Sequence, residues 1–153
     1  MVDAAWGGRA RPLLEETIQP YCAPSRLGRA KRLTPKQLLA QPLIRSRENA
    51  LSWETWFGQR GLSFDDADLP PIQLDPSYVA IEAAVKGVGV ILESSLLTQE
   101  HVDAGRLVAP VRETKAPSTS YWLLPLHKGA RQPTIKAYGW LIDQANLSSK
   151  GFS

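Results

Sequence analysis

Ile72-Gln-Leu-Asp-Pro-Ser-Tyr-Val-Ala-Ile-Glu-Ala-Ala-Val-Lys-Gly-Val-Gly-Val-Ile-Leu92 is the stretch that decides the fold. Ile72 and Leu74 alternate with a polar residue and read as the end of a strand. Asp75-Pro76 then reads as a helix start: a capping carboxylate precedes a proline at the first helical position, where a missing N–H costs no intrahelical bond. The helix over 76–86 presents Val79, Ala80, Ala83 and Ala84, a small-residue face suited to close packing. Gly87 ends it. Val88–Leu92 is an apolar run that suits a strand buried on both faces. Strand, helix and strand in so few residues make a βαβ unit, with parallel strands and a right-handed crossover. The pattern predicts that 72–92 form the centre of a parallel sheet with the helix packed on it.

Upstream, residues 13–22 read as an extended segment in which Pro20 removes a ladder donor and marks an edge or bend. Pro24-Ser25 begins a short turn. Thr34-Pro35 starts a short helix that Pro42 stops, and Leu43-Ile44-Arg45 reads as a strand. Ser52 caps a helix carrying Trp53, Trp56 and Phe57 at i, i+3 and i+4, closed by Gly58 or Gly61. That aromatic face packs the helix onto the body, with stacking on a ligand as the alternative. Asp65 to Asp68 reads as an exposed acidic loop without the glycine pattern of a calcium site. Downstream, Thr98 reads as the cap of a helix over 99–104 ended by Gly105. Leu107–Ala109 and Tyr121–Pro125 read as strands. Pro133 opens a last helix with Ile135, Tyr138, Leu141 and Ile142 on one face, and 148–153 read as a frayed end.

The chain of 153 residues suits one domain or a two-lobed one. The net charge of +3 is unevenly spread: residues 1–60 balance at +5, 61–120 at −5 and 121–153 at +3. Arg26, Arg29, Lys31, Arg32 and Lys36 form the densest basic stretch, read as a solvated face with a phosphate-binding surface as the alternative. The single cysteine, Cys22, excludes an internal disulfide, and its apolar context reads as a buried small side chain. His101 and His127 have no pairing motif. There is no nucleophile elbow, zinc-protease motif or phosphate loop, and Gly87 and Gly89 follow a helix rather than a strand, unlike a dinucleotide fingerprint. These readings favour a non-enzyme with no metal and no cofactor. No apolar run is long enough to span a membrane, and Met1–Gly8 is no secretory signal, so a soluble cytoplasmic protein is expected.

Leu13-Leu-Glu-Glu-Thr-Ile-Gln-Pro-Tyr-Cys-Ala-Pro24 resembles the hinge strand of LysR-type transcriptional regulators. Leu33-Thr-Pro-Lys-Gln-Leu-Leu-Ala-Gln-Pro-Leu-Ile44 resembles that family's short helix and strand entry. Trp53-x-x-Trp56-Phe57 followed by Gly61 is similar to the branch containing the glycine cleavage activator. Ala83–Val90, Ala104-Gly-Arg-Leu-Val108 and Tyr121–Pro125 resemble further family segments. No one motif is strong, but their order and spacing over 13–145 are specific.

The resemblance implies an α/β, periplasmic-binding-protein-like (type II) effector-binding domain. Residues 1–12 correspond to a remnant of the first lobe, 13–22 to a hinge strand and 23–118 to a second lobe with a parallel-rich sheet flanked by helices. Residues 119–147 correspond to the return hinge strand and C-terminal helix, and 148–153 to a tail. Most of the first lobe and all of the DNA-binding helix-turn-helix have no counterpart here, so the chain is expected to be a fragment or a truncated natural frame. It is expected to bind no DNA sequence-specifically alone, to associate weakly through uncovered faces of 13–22 and 121–125, and to hold its effector poorly. The implied function is ligand sensing for a transcriptional regulator; a transport solute-binding domain of the same fold is the alternative.

The implied effector is a small molecule, a carboxylate among the candidates, in a cleft lined by Arg45, Ser46, Arg47, Asp75 and Ser77. An arginine fork suits a carboxylate and helix N-termini suit anions, while plain capping is the other reading of Asp75. Glu93 and Ser94 mark a third strand end at such a cleft. The implied homodimer contacts lie at Val79, Ala80 and Ala83. DNA is a partner only through a helix-turn-helix domain outside these segments, and no membrane partner is implied.

Overall fold

The computed structural model describes residues 9–46, 51–65, 72–112 and 118–150. The chain divides into two compact units, one made of residues 17–115 and the other of 1–16 with 116–153.

In the 17–115 unit, a three-stranded sheet has the order β2–β4–β3, with β2 Ile18–Tyr21, β3 Leu43–Ile44 and β4 Val90–Ser94. β4 is central: β3 runs parallel to it and β2 antiparallel. Every residue of β4 is buried, because both faces of the sheet are covered. Alternation sorts the side chains. Leu43, Val90 and Leu92 join Cys22, Leu38, Trp53, Trp56, Phe57 and Val111 in one core, while Ile44 and Ile91 join Tyr21, Ala80, Ile81, Ala84 and Leu107 in the other.

The first core is closed by two short capped helices. In α1, Pro35–Leu38, the Thr34 hydroxyl accepts from the Gln37 N–H while the Gln37 side chain accepts from the Thr34 N–H, a reciprocal cap that the proline start alone does not reveal. In α2, Trp53–Gly58, Ser52 accepts from the Thr55 N–H. The Trp53, Trp56 and Phe57 rings, at 3%, 1% and 0% exposure, contact one another, and the Trp53 indole donates to the Ile44 carbonyl at 2.9 Å. This is a packing role and leaves no open ring face for a ligand. Cys22 is likewise sealed in, and burial pushes its thiol up from 9.0 to about 11.

α3, Ser77–Val85, covers the second core through Ala80, Ile81 and Ala84. It starts later than the sequence suggests: Pro76 is the flanking residue and no side chain caps it, because Asp75 is engaged elsewhere. Ala80, expected at a dimer contact, is 1% exposed inside this core and has no surface to offer a second chain. Residues 72–74 are parallel to the sheet, but through a single bridge from Gln73 to Arg45, so β3 lies between them and β4. The sheet is therefore mixed at β2 and its βαβ unit skips a strand. Val88 falls outside β4, 47% exposed.

α4, Ser95–Asp103, is capped by Ser94, whose hydroxyl accepts from the Leu96 N–H. Thr98 is inside the helix, buried, and its hydroxyl donates to the Ser94 carbonyl at 2.9 Å, so the expected cap is an interior residue. Gly105 turns the chain out at φ 68°, and residues 107–109 contribute one bridge, Val108 to Cys22, rather than a strand.

In the other unit, β1 Arg11–Glu16 pairs antiparallel with β5 Ser118–Leu123. The register slips near Pro12 and Leu14, as expected where a proline withholds a donor. The extended segment read as 13–22 is thus two strands, broken at Thr17. α5, Gln132–Lys150, is helical through 150, beyond the expected fray at 148. Ile135 and Leu141 on its expected apolar face are 42% and 40% exposed, and Ala145 is buried.

Candidate functional site

The candidate site lies where β3 ends. The Arg45 N–H donates to the Ile72 carbonyl and the Leu74 N–H donates to the Arg45 carbonyl, both at 2.9 Å. These two bonds lay 72–74 along the end of β3 and bring two distant loops side by side. Asp75 then lies beside Ser46. The Ser46 hydroxyl donates to Asp75 Oδ1 at 3.2 Å, and the Gln73 amide donates to Asp75 Oδ2 at 3.1 Å. Ser46 and Arg45 are half-buried; Asp75 and Gln73 are exposed. A carboxylate held by two donors is fixed in orientation, a prerequisite for selective recognition.

The expected cleft residues are thus partly gathered. Ser46 and Asp75 meet at the carboxyl end of β3, where ligands bind in open α/β sheets, and Arg45 is joined to the same segment through its backbone. Arg47 lies outside the described residues, as do Asp66 and Asp68 of the acidic loop. Ser77 opens α3 and makes no side-chain hydrogen bond among the described residues; it lines a groove of about 550 Å³ with Tyr78, Ile81, Glu82, Leu97 and His101. Glu93 and Ser94 are buried at the end of β4, where Ser94 caps α4 and Glu93 accepts from the Ser94 N–H at 2.8 Å. Gln73 was not among the expected residues. Its position two before Asp75, on the same side of an extended segment, is the sequence signal that points to it.

The groove between α3 and α4 is a second feature of this unit. Tyr78 is 68% and Leu97 48% exposed along it. His101 is half-buried there, accepting from Arg106 Nε at Nδ1 and lying 3.9 Å from Glu82 through Nε2. Of the dimer candidates, Val79 and Ala83 are half-buried on α3.

Among the described residues, no group of three or more histidine, cysteine or acidic side chains is arranged to hold a metal. Nor is any helix long and apolar enough to cross a membrane.

Comparison with known proteins fits this architecture. Residues 4–145 match the model of the LysR substrate binding domain. An uncharacterized HTH-type transcriptional regulator, y4mQ, of Sinorhizobium fredii is 32% identical over 143 residues, which are 92% of this chain and 47% of that protein. The glycine cleavage system transcriptional activator of Escherichia coli is 28% identical over 149 residues, 96% of this chain and 48% of its own. The chain spans about half the length of these curated relatives. Among solved structures, the effector domain of the transcriptional regulator AmpR of Pseudomonas aeruginosa superposes with a TM-score of 0.70 at 29% identity, covering 93% of this chain and 67% of that one.

Proposed function

The chain belongs to the family of LysR substrate-binding domains, and from that premise we propose that it senses a small-molecule effector at the end of β3. Its relatives are transcriptional regulators, and its fold is that of their effector-binding domains. We further propose that the whole protein regulates transcription, coupling effector binding to DNA binding elsewhere in the regulator.

The observation that carries the site assignment is the Ser46–Asp75 hydrogen bond, formed across 29 positions of sequence at the strand end. Arg45, Ser46, Arg47, Asp75 and Ser77 are the proposed contacts, with Gln73 supporting Asp75. A guanidinium fork binds a carboxylate by two parallel hydrogen bonds. The Asp75 carboxylate repels an anion that offers nothing else, and attracts an amino or hydroxyl donor. The chemistry therefore favours a ligand bearing both a carboxylate and such a donor. For association, we propose α3 as the dimer surface, through Val79 and Ala83 beside the exposed Tyr78.

The test is thermal unfolding against a panel of amino acids, hydroxy acids and simple carboxylates. At a hundredfold excess over Kd, a ligand stabilises its binding state by about 2.7 kcal/mol. A hit whose stabilisation is lost in Ser46→Ala and Asp75→Asn but kept in Glu82→Gln supports the site. Equal stabilisation of all these variants places binding elsewhere.

A further inference from the structure

Residues 17–47 carry seven cations, at 26, 29, 31, 32, 36, 45 and 47, and no acidic residue. The structure gives the dense part of this run two distinct jobs. Arg26 is half-buried and used internally: it donates to the Gly87 carbonyl at 2.7 Å and to the Gln41 amide oxygen at 3.1 Å. This ties the turn at Pro24–Leu27 to the end of α3. The other four, Arg29, Lys31, Arg32 and Lys36, are exposed, and none makes an ion pair or a side-chain hydrogen bond among the described residues.

These four are held in place. Gly28, at φ 56°, turns the chain out after Leu27, which packs on the first core. The Leu33 N–H donates to the Pro110 carbonyl at 2.7 Å, and its side chain packs on the same core. The reciprocal cap at Thr34 and Gln37 then fixes the turn bearing Lys36. A loop anchored before, between and after its charges presents them with less ordering cost than a free tail.

We propose that Arg29, Lys31, Arg32 and Lys36 form a docking surface for the phosphate backbone of DNA, recognised by charge and not by sequence. Protein interfaces need an apolar centre. The large apolar side chain within 28–37, Leu33, is turned into the core, which leaves a partner only cations to read. Two of the four are arginines, whose forks fit phosphate oxygens. Eight residues reach at most about 25 Å, a length over which duplex DNA presents roughly 15 charges. Four cations on that length are a modest non-specific footprint. The inference is independent of the effector site.

The experiment measures binding of the 153-residue chain to a fluorescent duplex of random sequence between 50 and 200 mM salt. Four phosphate contacts give a slope of log K on log salt near −3.6, about a 150-fold loss of affinity across that range. A shuffled duplex should bind equally. Replacing Arg29, Lys31, Arg32 and Lys36 together by Gln should abolish binding and the slope, whereas Lys86→Gln with Arg112→Gln should leave both intact. Circular dichroism checks that the variants fold. Absence of binding at 50 mM salt, an unchanged slope in the fourfold variant, or tighter binding to polyglutamate than to DNA would each overturn the proposal, the last by assigning the surface to an acidic protein.

Discussion

Replacing Gly89 with alanine tests the close approach on which the central sheet depends. Gly89 has no left-handed requirement; its constraint is space. A Cβ there would stand 2.5 Å from the Pro42 carbonyl oxygen and 3.0 Å from Ile44 Cγ1. An acceptable carbon–oxygen contact is about 3.3 Å, so the carbonyl must retreat by roughly 0.8 Å. That carbonyl accepts from the Val90 N–H at 2.8 Å. A retreat of this size along the bond stretches it to about 3.6 Å, past the useful range. Leaving a buried amide unsatisfied costs about 1–3 kcal/mol, and forcing Ile44 aside adds about 1–3 more. The expected loss is near 4 kcal/mol, a large share of a typical stability of about 5–15 kcal/mol, and about 8–16 °C in Tm for a chain of this size. Urea unfolding followed by tryptophan fluorescence reports it, since Trp53 and Trp56 lie in the core on this sheet. Gly87→Ala is the comparison: φ is 76° there but the nearest atom is 3.8 Å away, so only conformational strain of about 1–2 kcal/mol is incurred. A Gly89→Ala variant within 1 kcal/mol of the parent would refute the steric argument.

Trp53→Phe keeps the ring stack but removes the donor to the Ile44 carbonyl, and should cost about 1–3 kcal/mol in the same unfolding assay. Gly139→Ala, in the interior of α5 with open space around it, should stabilise by about 0.5–1 kcal/mol, read as a rise in urea midpoint. The Cys22 thiol should be silent to a thiol reagent at pH 8 in the folded chain and react at once in urea. Because its folded pKa of about 11 exceeds the unfolded 9.0, the unfolded chain loses its proton first on raising the pH. Stability from this group is therefore complete below pH 9 and falls between pH 9 and 11, by up to about 1.4 kcal/mol per pH unit; a Cys22→Ala variant should lack that component of the decline.

What the sequence discloses divides along locality. Thr34-Pro35 and Ser52 are legible as helix starts because the cap and the amide it serves are three residues apart. Gly87 and Gly105 are legible as helix ends for the same reason, and both adopt a positive φ. Asp75 fails as a cap because its carboxylate has a competing donor, Ser46, 29 residues away, and nothing local announces it. Thr98 fails because Ser94, four residues earlier, also carries a hydroxyl and wins the terminus, turning Thr98 into an interior residue that bonds back to it. The strand at 88–92 is displaced to Val90–Ser94 because Gly89 is spent on the approach to Pro42, while Glu93 and Ser94, polar in sequence, are buried by β2 pairing alongside.

The same distinction explains why the candidate site is only half legible. Its residues sit in two loops, after β3 and before α3, and each loop alone reads as ordinary turn chemistry. They become a site only because Arg45 and Gln73 bridge in parallel, which aligns the two chain segments so that Ser46 faces Asp75. A polar residue at a strand end is therefore weak evidence of recognition until its neighbour across the sheet is known. The register at 45 and 73 supplies that neighbour. It also makes Asp75 a shared element of the fold and of the proposed site: its two donors hold the loop that α3 departs from, so a ligand that drew Ser46 or Gln73 away from Asp75 would act on the start of α3 directly. At the proposed effector site, that coupling would give an effector a physical route from the end of β3 to the helix whose outer face carries Tyr78.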